Sequence, residues 1–315
     1  MIRIIFSLIA LLIIGGGSIL YATQPAARAL VHAFRYERTL DAYAQNDTTQ
    51  TVIDTNFASD QREATLISAF FGLDDALPRL SGRVICEGAA GKDGMPVIFS
   101  HEVDVSTIEP ADFKVATASG AIGYVECLTM APADDPGELR TVLLVGSYGS
   151  VQDQPVTVEI SGNILTRDGS ANFRGAKVDV TRLEDGPTLV WAERVPREEW
   201  DLGRKPTQLR FGGGSGCPDG TRQVVRVTWD GGITKPNNAP VDDLERLEYV
   251  VTIAKSDRTL EKVAPFALGD LNDGDNNHEL CLDTEDPARA VSFPPGFVTD
   301  PRGDLNPASS IQVHQ

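Results

Sequence analysis

The sequence predicts a mainly β chain: two β-sandwich units behind a short α-helical region that follows an export signal. Three observations carry that prediction. From about residue 80 onward, short β-branched runs alternate with Gly, Asp, Asn and Pro. No long amphipathic helix separates these runs, which is the pattern of sandwiches rather than of βαβ units. Four cysteines, Cys86, Cys127, Cys217 and Cys281, form no CxxC pair, so disulfides suit them better than zinc or redox chemistry. Finally, Arg3 precedes an almost unbroken apolar run from Ile4 to Ile14, closed by Gly15-Gly16-Gly17 and Ser18–Ala22, the form of an export signal.

That leader comes first in the chain. From Ile4 to Ala22 it counts 19 residues, long enough as a helix to cross roughly 30 Å of hydrocarbon. Residues 1–22 are therefore either a cleaved signal or an N-terminal anchor, and contact with a membrane would come only through residues 4–22, if uncleaved. Either way the remainder is exported.

Residues 23–79 are expected to be helical. Ala26, Leu30, Val31, Phe34, Leu40 and Tyr43 recur at three- and four-residue steps over 25–45. A second helix is expected over 59–71, with Asp60 and Glu63 in capping-box spacing, an apolar face of Leu66, Ile67, Phe70 and Phe71, and Gly72 to end it.

The first sandwich unit is placed at 80–192. Its expected strands are Arg83–Cys86, Pro96–Phe99, Phe113–Thr117, Ile122–Leu128, Thr141–Val145, Val156–Ile160, Ala176–Thr181 and Thr188–Ala192. A linker over 193–216, rich in charge, Pro and Gly, separates it from a second unit at 217–315. There the expected strands are Gln223–Trp229, Leu247–Ile253, Leu260–Phe266, Ala288–Phe293 and Ile311–His314. Each unit opens on a Cys, passes a Gly/Asp turn, enters a strand seven to ten residues later, and carries its second Cys further on. That is a loose internal repeat.

Four cysteines allow three pairings. The local one, Cys86–Cys127 with Cys217–Cys281, keeps each bridge within one unit. Loops of about 40 and 65 residues would each cost the unfolded chain about 3.5–4.5 kcal/mol of entropy.

Residues 96–169 resemble the Ig-like domains of bacterial surface proteins of the S-layer type. The resemblance lies in Phe99-Ser100, Val103-Asp104, Asp112-Phe113-Lys114-Val115 and the Asp168-Gly169 turn, and the Phe297–Asp304 run is similar to the terminal turn of such modules. It implies two Ig-like units acting as scaffold or spacer, with no catalytic residues to transfer. The cysteines and the expected helical region depart from that pattern.

Charge narrows the partners. A net charge of −17 with no cluster of Lys and Arg argues against nucleic acid, whose recognition needs cations to displace counterions. The acidity is densest from Asp270 to Asp286, where seven carboxylates meet no Lys or Arg. Like charges gathered this way need hydration or a cation, and Ca²⁺ takes six to eight oxygens from such loops. Asp270, Asn272, Asp275, Asn277 and Glu279 are the candidate ligands. The run resembles the start of an EF-hand loop but is not one, because Gly274 falls at the fifth position and Cys281 at the twelfth. The competing reading is an Asp/Asn turn whose side chains cap backbone amides, with a transition-metal role for His278 as a third.

Catalytic signatures are missing. The four histidines, His32, His101, His278 and His314, form no HExxH, and Gly214-Ser215-Gly216 lacks the GxSxG spacing. Ser100 and His101 are expected to point to opposite faces of a strand. Arg302-Gly303-Asp304 reads as turn chemistry rather than an integrin motif, and Asn46-Asp47-Thr48 is a sequon only in a eukaryotic host. Trp191 and Trp229 are expected in cores. The function expected is thus a non-catalytic structural, adhesive or binding role at the cell envelope or outside the cell. The alternative is a secreted hydrolase using paired carboxylates.

Overall fold

The computed structural model describes residues 64–135, 137–200, 202–203, 215–271 and 274–315. The leader, the helix expected over 25–45, the start of that expected over 59–71 and half of the expected linker lie outside the described residues.

The first seven strands are β1 (Leu66–Phe70), β2 (Asp93–Phe99), β3 (Phe113–Thr117), β4 (Tyr124–Thr129), β5 (Thr141–Ser147), β6 (Pro155–Ile160) and β7 (Lys177–Thr181). They form one sheet ordered β3-β6-β7-β1-β2-β5-β4. It folds over at β1, which runs antiparallel to β2 and parallel to β7. Met95, Val97 and Phe99 of β2 and Val142 and Leu144 of β5 pack with Phe113 and Val115 of β3 and Val158 and Ile160 of β6 in one buried cluster. The halves β1-β2-β5-β4 and β7-β6-β3 therefore face each other as the layers of a sandwich.

The remaining strands are β8 (Leu189–Arg194), β9 (Gln223–Trp229), β10 (Val250–Ala254), β11 (Leu260–Val263), β12 (Ala267–Gly269), β13 (Asn277–Leu282), β14 (Ala288–Phe293) and β15 (Ser309–Gln312). They make two four-stranded sheets, β12-β13-β9-β8 and β11-β10-β14-β15. A separate cluster lies between them, built on Trp229, Tyr249 and Phe293, with Val225, Val227, Leu280 and Val291. The strand order repeats that of the first half: β8, β9, β13 and β12 stand where β1, β2, β5 and β4 stand. Even the parallel closure recurs, as Glu193 of β8 bridges His314 just past β15.

Both disulfides form as expected, Cys86–Cys127 and Cys217–Cys281, spanning 41 and 64 residues. Five elements differ from expectation, the first being β13, a strand where an acidic loop was expected. Leu66–Phe70 is a strand, and a bulge between Leu66 and Ser68 explains the helix-like spacing. The extra residue shifts the phase, so Leu66, Ala69 and Phe71 all reach the core at three- and two-residue steps. In place of a strand over 83–86 there is a single helical turn, α1 (Ser81–Val84). The strand expected to close the first unit, β8, pairs with β9 and opens the second. The strand expected over 260–266 ends at Val263 as β11, and β12 begins past it at Ala267, after Ala264-Pro265-Phe266.

A charged junction as the candidate functional site

Strands β9 and β13 are buried along their whole length. Alternation explains one face: Val225, Val227, Trp229, Leu280 and Leu282 point into the core of the second sandwich. The other face carries Arg226, Thr228, Asn277 and Glu279, and these are buried too. What covers them is the first sandwich, through the β4–β5 connection and the start of β5.

The contacts across this junction are specific. The Arg226 guanidinium donates to the Gly137 carbonyl (3.1 Å) and to Glu279 Oε1 (3.1 Å), and lies 3.8 Å from Glu193 and 3.9 Å from Glu138. Gly137 has φ +91°, and a Cβ there would overlap the guanidinium, so glycine is needed for both reasons. Arg140 donates to Glu193 Oε2 (2.8 Å) and to the Ser100 carbonyl (3.2 Å), and its guanidinium lies 4.6 Å above the Trp191 ring. His314 stacks on that same indole at 3.8 Å. Asn276 donates to the Trp229 carbonyl (2.6 Å) and reaches Thr141 Oγ1 (3.4 Å).

Beside Arg226, oxygens of Glu138, Asp270 and Asp275 all lie within 4.8 Å of one another, and all three residues are buried. Burial, with the negative charge of Asp275 added, holds the Glu138 carboxyl well above the usual carboxylate range. Burial opposes the Arg226 charge, but Glu138, Glu279, Glu193 and Asp270 outweigh it and raise the guanidinium above its ordinary value. The cluster opens into a cleft of about 450 Å³ lined by further acids, Glu102, Asp135, Glu198 and Glu199, with Trp200 and Arg167.

The expected ligand residues thus divide. Asp270 and Asp275 lie in the β12–β13 turn and face Glu138, a partner distant in the chain that nothing in the sequence announces. Asn277 and Glu279 belong to β13. The Asn277 side chain accepts from Thr228 Oγ1 (2.7 Å) and donates to Asp275 Oδ2 (3.1 Å), while Glu279 takes Arg226. Asn272 lies outside the described residues. His278 points into the core, where Nδ1 meets the Tyr249 hydroxyl at 2.8 Å and the hydroxyl accepts from Trp229 Nε1 at 2.9 Å. Burial lowers the His278 pKa to about 4, so the imidazole is neutral at physiological pH.

Elsewhere, Ser100 Oγ lies 2.9 Å from His101 Nδ1. The expectation of opposite faces fails because both residues lie past the end of β2, where strand alternation no longer holds. The hydroxyl oxygen also accepts the Thr65 N–H (3.0 Å). In the Arg302-Gly303-Asp304 turn, Asp300 Oδ1 accepts the N–H groups of all three residues at 2.8–3.0 Å, and Arg302 pairs with Asp304 at 3.3 Å. Trp229 is fully buried and Trp191 half-buried.

No family model matches the chain, and no curated protein is similar to it. Among solved structures it is weakly similar to the N-terminal part of the bacterial S-layer protein SbsC. Identity there is 12% and the TM-score 0.26, over 80% of this chain and 44% of that one. Domains 1–6 of SbsC match at 12% identity and TM-score 0.28, over 79% of this chain and 40% of that one. A longer piece, rSbsC(31-844), matches at 11% and 0.28, over 80% and 40%. The chain spans less than half the length of these proteins, and at such TM-scores the likeness carries no functional argument. Two disulfides fit an oxidising compartment. Among the described residues, no helix is long and apolar enough to cross a membrane.

Proposed function

We propose that this is an extracytoplasmic structural or adhesive protein. Residues 64–187 and 188–315 would be two Ig-like domains set side by side, their junction stabilised by calcium. The Ig-like reading is supported by the strand orders: four strands matching A, B, E and D in one layer and C, F and G in the other, in both units, with β11 added beside C in the second. The observation that carries the function is the junction itself. It gives large polar surfaces to fixing one sandwich against the other, which suits a rigid spacer.

Calcium is supported by the charge balance. Among the described residues, the carboxylates of Glu138, Asp270, Asp275, Glu279 and Glu193 gather around two guanidiniums, Arg226 and Arg140. Buried charge left uncompensated is costly unless a proton or a cation neutralises it. Glu138 comes from one sandwich and the aspartates from the other, so a bound ion would tie them together.

The acidic cleft is also what a hydrolase with paired carboxylates would present. The ion is favoured because three buried carboxylates converge rather than a pair.

Melting the exported protein with and without Ca²⁺ tests the reading. Saturation at about 100 Kd should add about 2.7 kcal/mol, and the gain should vanish in Glu138→Gln/Asp270→Asn. An unchanged melting temperature, with no calcium retained after gel filtration, removes the ion. Protease shaving of intact producing cells tests the location: fragments of 64–315 should be released, and complete protection would overturn a surface role.

A further inference from the structure

On the two central strands of the β12-β13-β9-β8 sheet, Thr228 of β9 and Asn277 of β13 stand directly opposite each other. Both are 0% exposed. Thr228 Oγ1 lies 2.7 Å from Asn277 Oδ1, and Asn277 Nδ2 lies 3.1 Å from Asp275 Oδ2. The second contact fixes the first. An ionised carboxylate only accepts, so the NH₂ end of the amide must face Asp275 and its oxygen must face Thr228. The threonine hydroxyl therefore donates to the amide oxygen and polarises that carbonyl. Among the described residues nothing donates to the hydroxyl in return, so its lone pairs stay available. With a C=O bond of about 1.23 Å, the amide carbon is within about 3.9 Å of Oγ1, close to the roughly 3–3.5 Å at which poised groups react.

From this geometry we infer that Thr228 and Asn277 are the partners of an intramolecular ester cross-link. Thr228 Oγ1 bonds to Asn277 Cγ, the Cγ–Nδ2 bond breaks, and the hydroxyl proton ends on the departing nitrogen, which leaves as ammonia. Nothing is oxidised or reduced, and no co-reactant is consumed. Asp275 is a positioning residue. Its two oxygens take the Asn277 N–H at 2.9 Å and Nδ2 at 3.1 Å, which hold the amide with its carbonyl turned to Thr228. Burial protects the product, because an ester closed off from water is not hydrolysed.

The position gives the bond a purpose. It joins residues 49 apart in the chain, at one end of the β9–β13 ladder. Cys281, towards the other end, is already tied to Cys217. The central pair of strands is then fastened at both ends, beside the junction that sets one sandwich against the other. No ion takes part in the step, so the cross-link stands apart from calcium at that junction.

Tryptic mapping of the exported protein, reduced and alkylated, reads the bond. Residues 227–246 and 263–289 should appear as one branched peptide, about 17 Da lighter than the two together. Mild hydroxylamine should separate them. Thr228→Val should give two peptides of full mass, and Thr228→Ser should restore the branch. If Thr228→Val fails to fold, the wild-type map and its hydroxylamine cleavage decide. Two separate peptides in the wild type overturn the cross-link. So does the same mass loss confined to 263–289, which marks a succinimide within one strand.

Discussion

The two sandwiches share a strand order and differ in what lies on the outside of matching strands. In the first, Phe70 and Ile98 on the outer face of β1 and β2 are fully buried yet belong to neither core. In the second, the outer face of β9 and β13, the strands that match β2 and β5, carries Arg226, Thr228, Asn277 and Glu279. Apolar residues stick to many surfaces, whereas a buried guanidinium among carboxylates tolerates one geometry only. The difference teaches that the second sandwich gives a whole strand face to polar contacts, which Gly137, Glu138 and Arg140 of the first meet from a loop, while the strand face of the first adds apolar contact.

The largest expected effect breaks the polar side. Arg226→Ala would leave Glu138, Glu279 and Asp270 facing one another, at a cost of about 3–5 kcal/mol. Denaturant unfolding followed by Trp fluorescence should show the loss. A drop below about 1 kcal/mol would mean that the polar face contributes little. Arg226→Lys should recover only part, because a single ammonium cannot reach Gly137, Glu193 and Glu279 together.

The disulfides sharpen the same contrast. Each joins the loop after the first strand to its own sheet, but Cys127 lies on the edge strand β4 and Cys281 on the central strand β13. Cys86 and Cys127 are half-buried, while Cys217 and Cys281 are 1% and 0% exposed. Loops of 41 and 64 residues differ by only about 0.4 kcal/mol in closure entropy. Burial rather than entropy should then separate them. Deleting either bridge should cost about 2–4 kcal/mol. In native protein, mild dithiothreitol should reduce Cys86–Cys127 first, as read by alkylation and peptide mapping; simultaneous reduction would show that access does not differ.

How much of this was legible in the sequence depends on how local each signal is. Strands such as Phe113–Thr117, Gln223–Trp229 and Ala288–Phe293 fall where the β-branched runs predict them, because a sandwich strand needs little more than its own pattern. β1 was hidden because its bulge imitates helical spacing. β13 was hidden because Asn277, Glu279 and Cys281 face away from the core and made the strand read as an acidic loop. The candidate site was half legible. The carboxylates from Asp270 to Glu279 stand out, but Glu138 and Arg226 join them only through folding, and one acid among 45 Asp and Glu carries no mark of that.

The smallest expected effect tests the apolar side. The Phe70 ring is held between Gly72, whose Cβ would come to 3.2 Å, and Gly231 of the other sandwich, whose Cβ would come to 2.9 Å. The ring thus has glycine backbone on both sides. Gly231→Ala should therefore overpack the junction by about 1–3 kcal/mol. Gly232 next door has nothing within 4 Å of a Cβ, so Gly232→Ala is the control and should be neutral or slightly stabilising. Because Phe70 belongs to neither core, Gly231→Ala should loosen the junction without unfolding either sandwich. Amide protection should drop for Phe71 and Thr188 and stay unchanged for Leu144 and Val225, which lie inside the separate cores. Equal losses in both cores would mean that the sandwiches unfold as one body and that the junction has no separate stability.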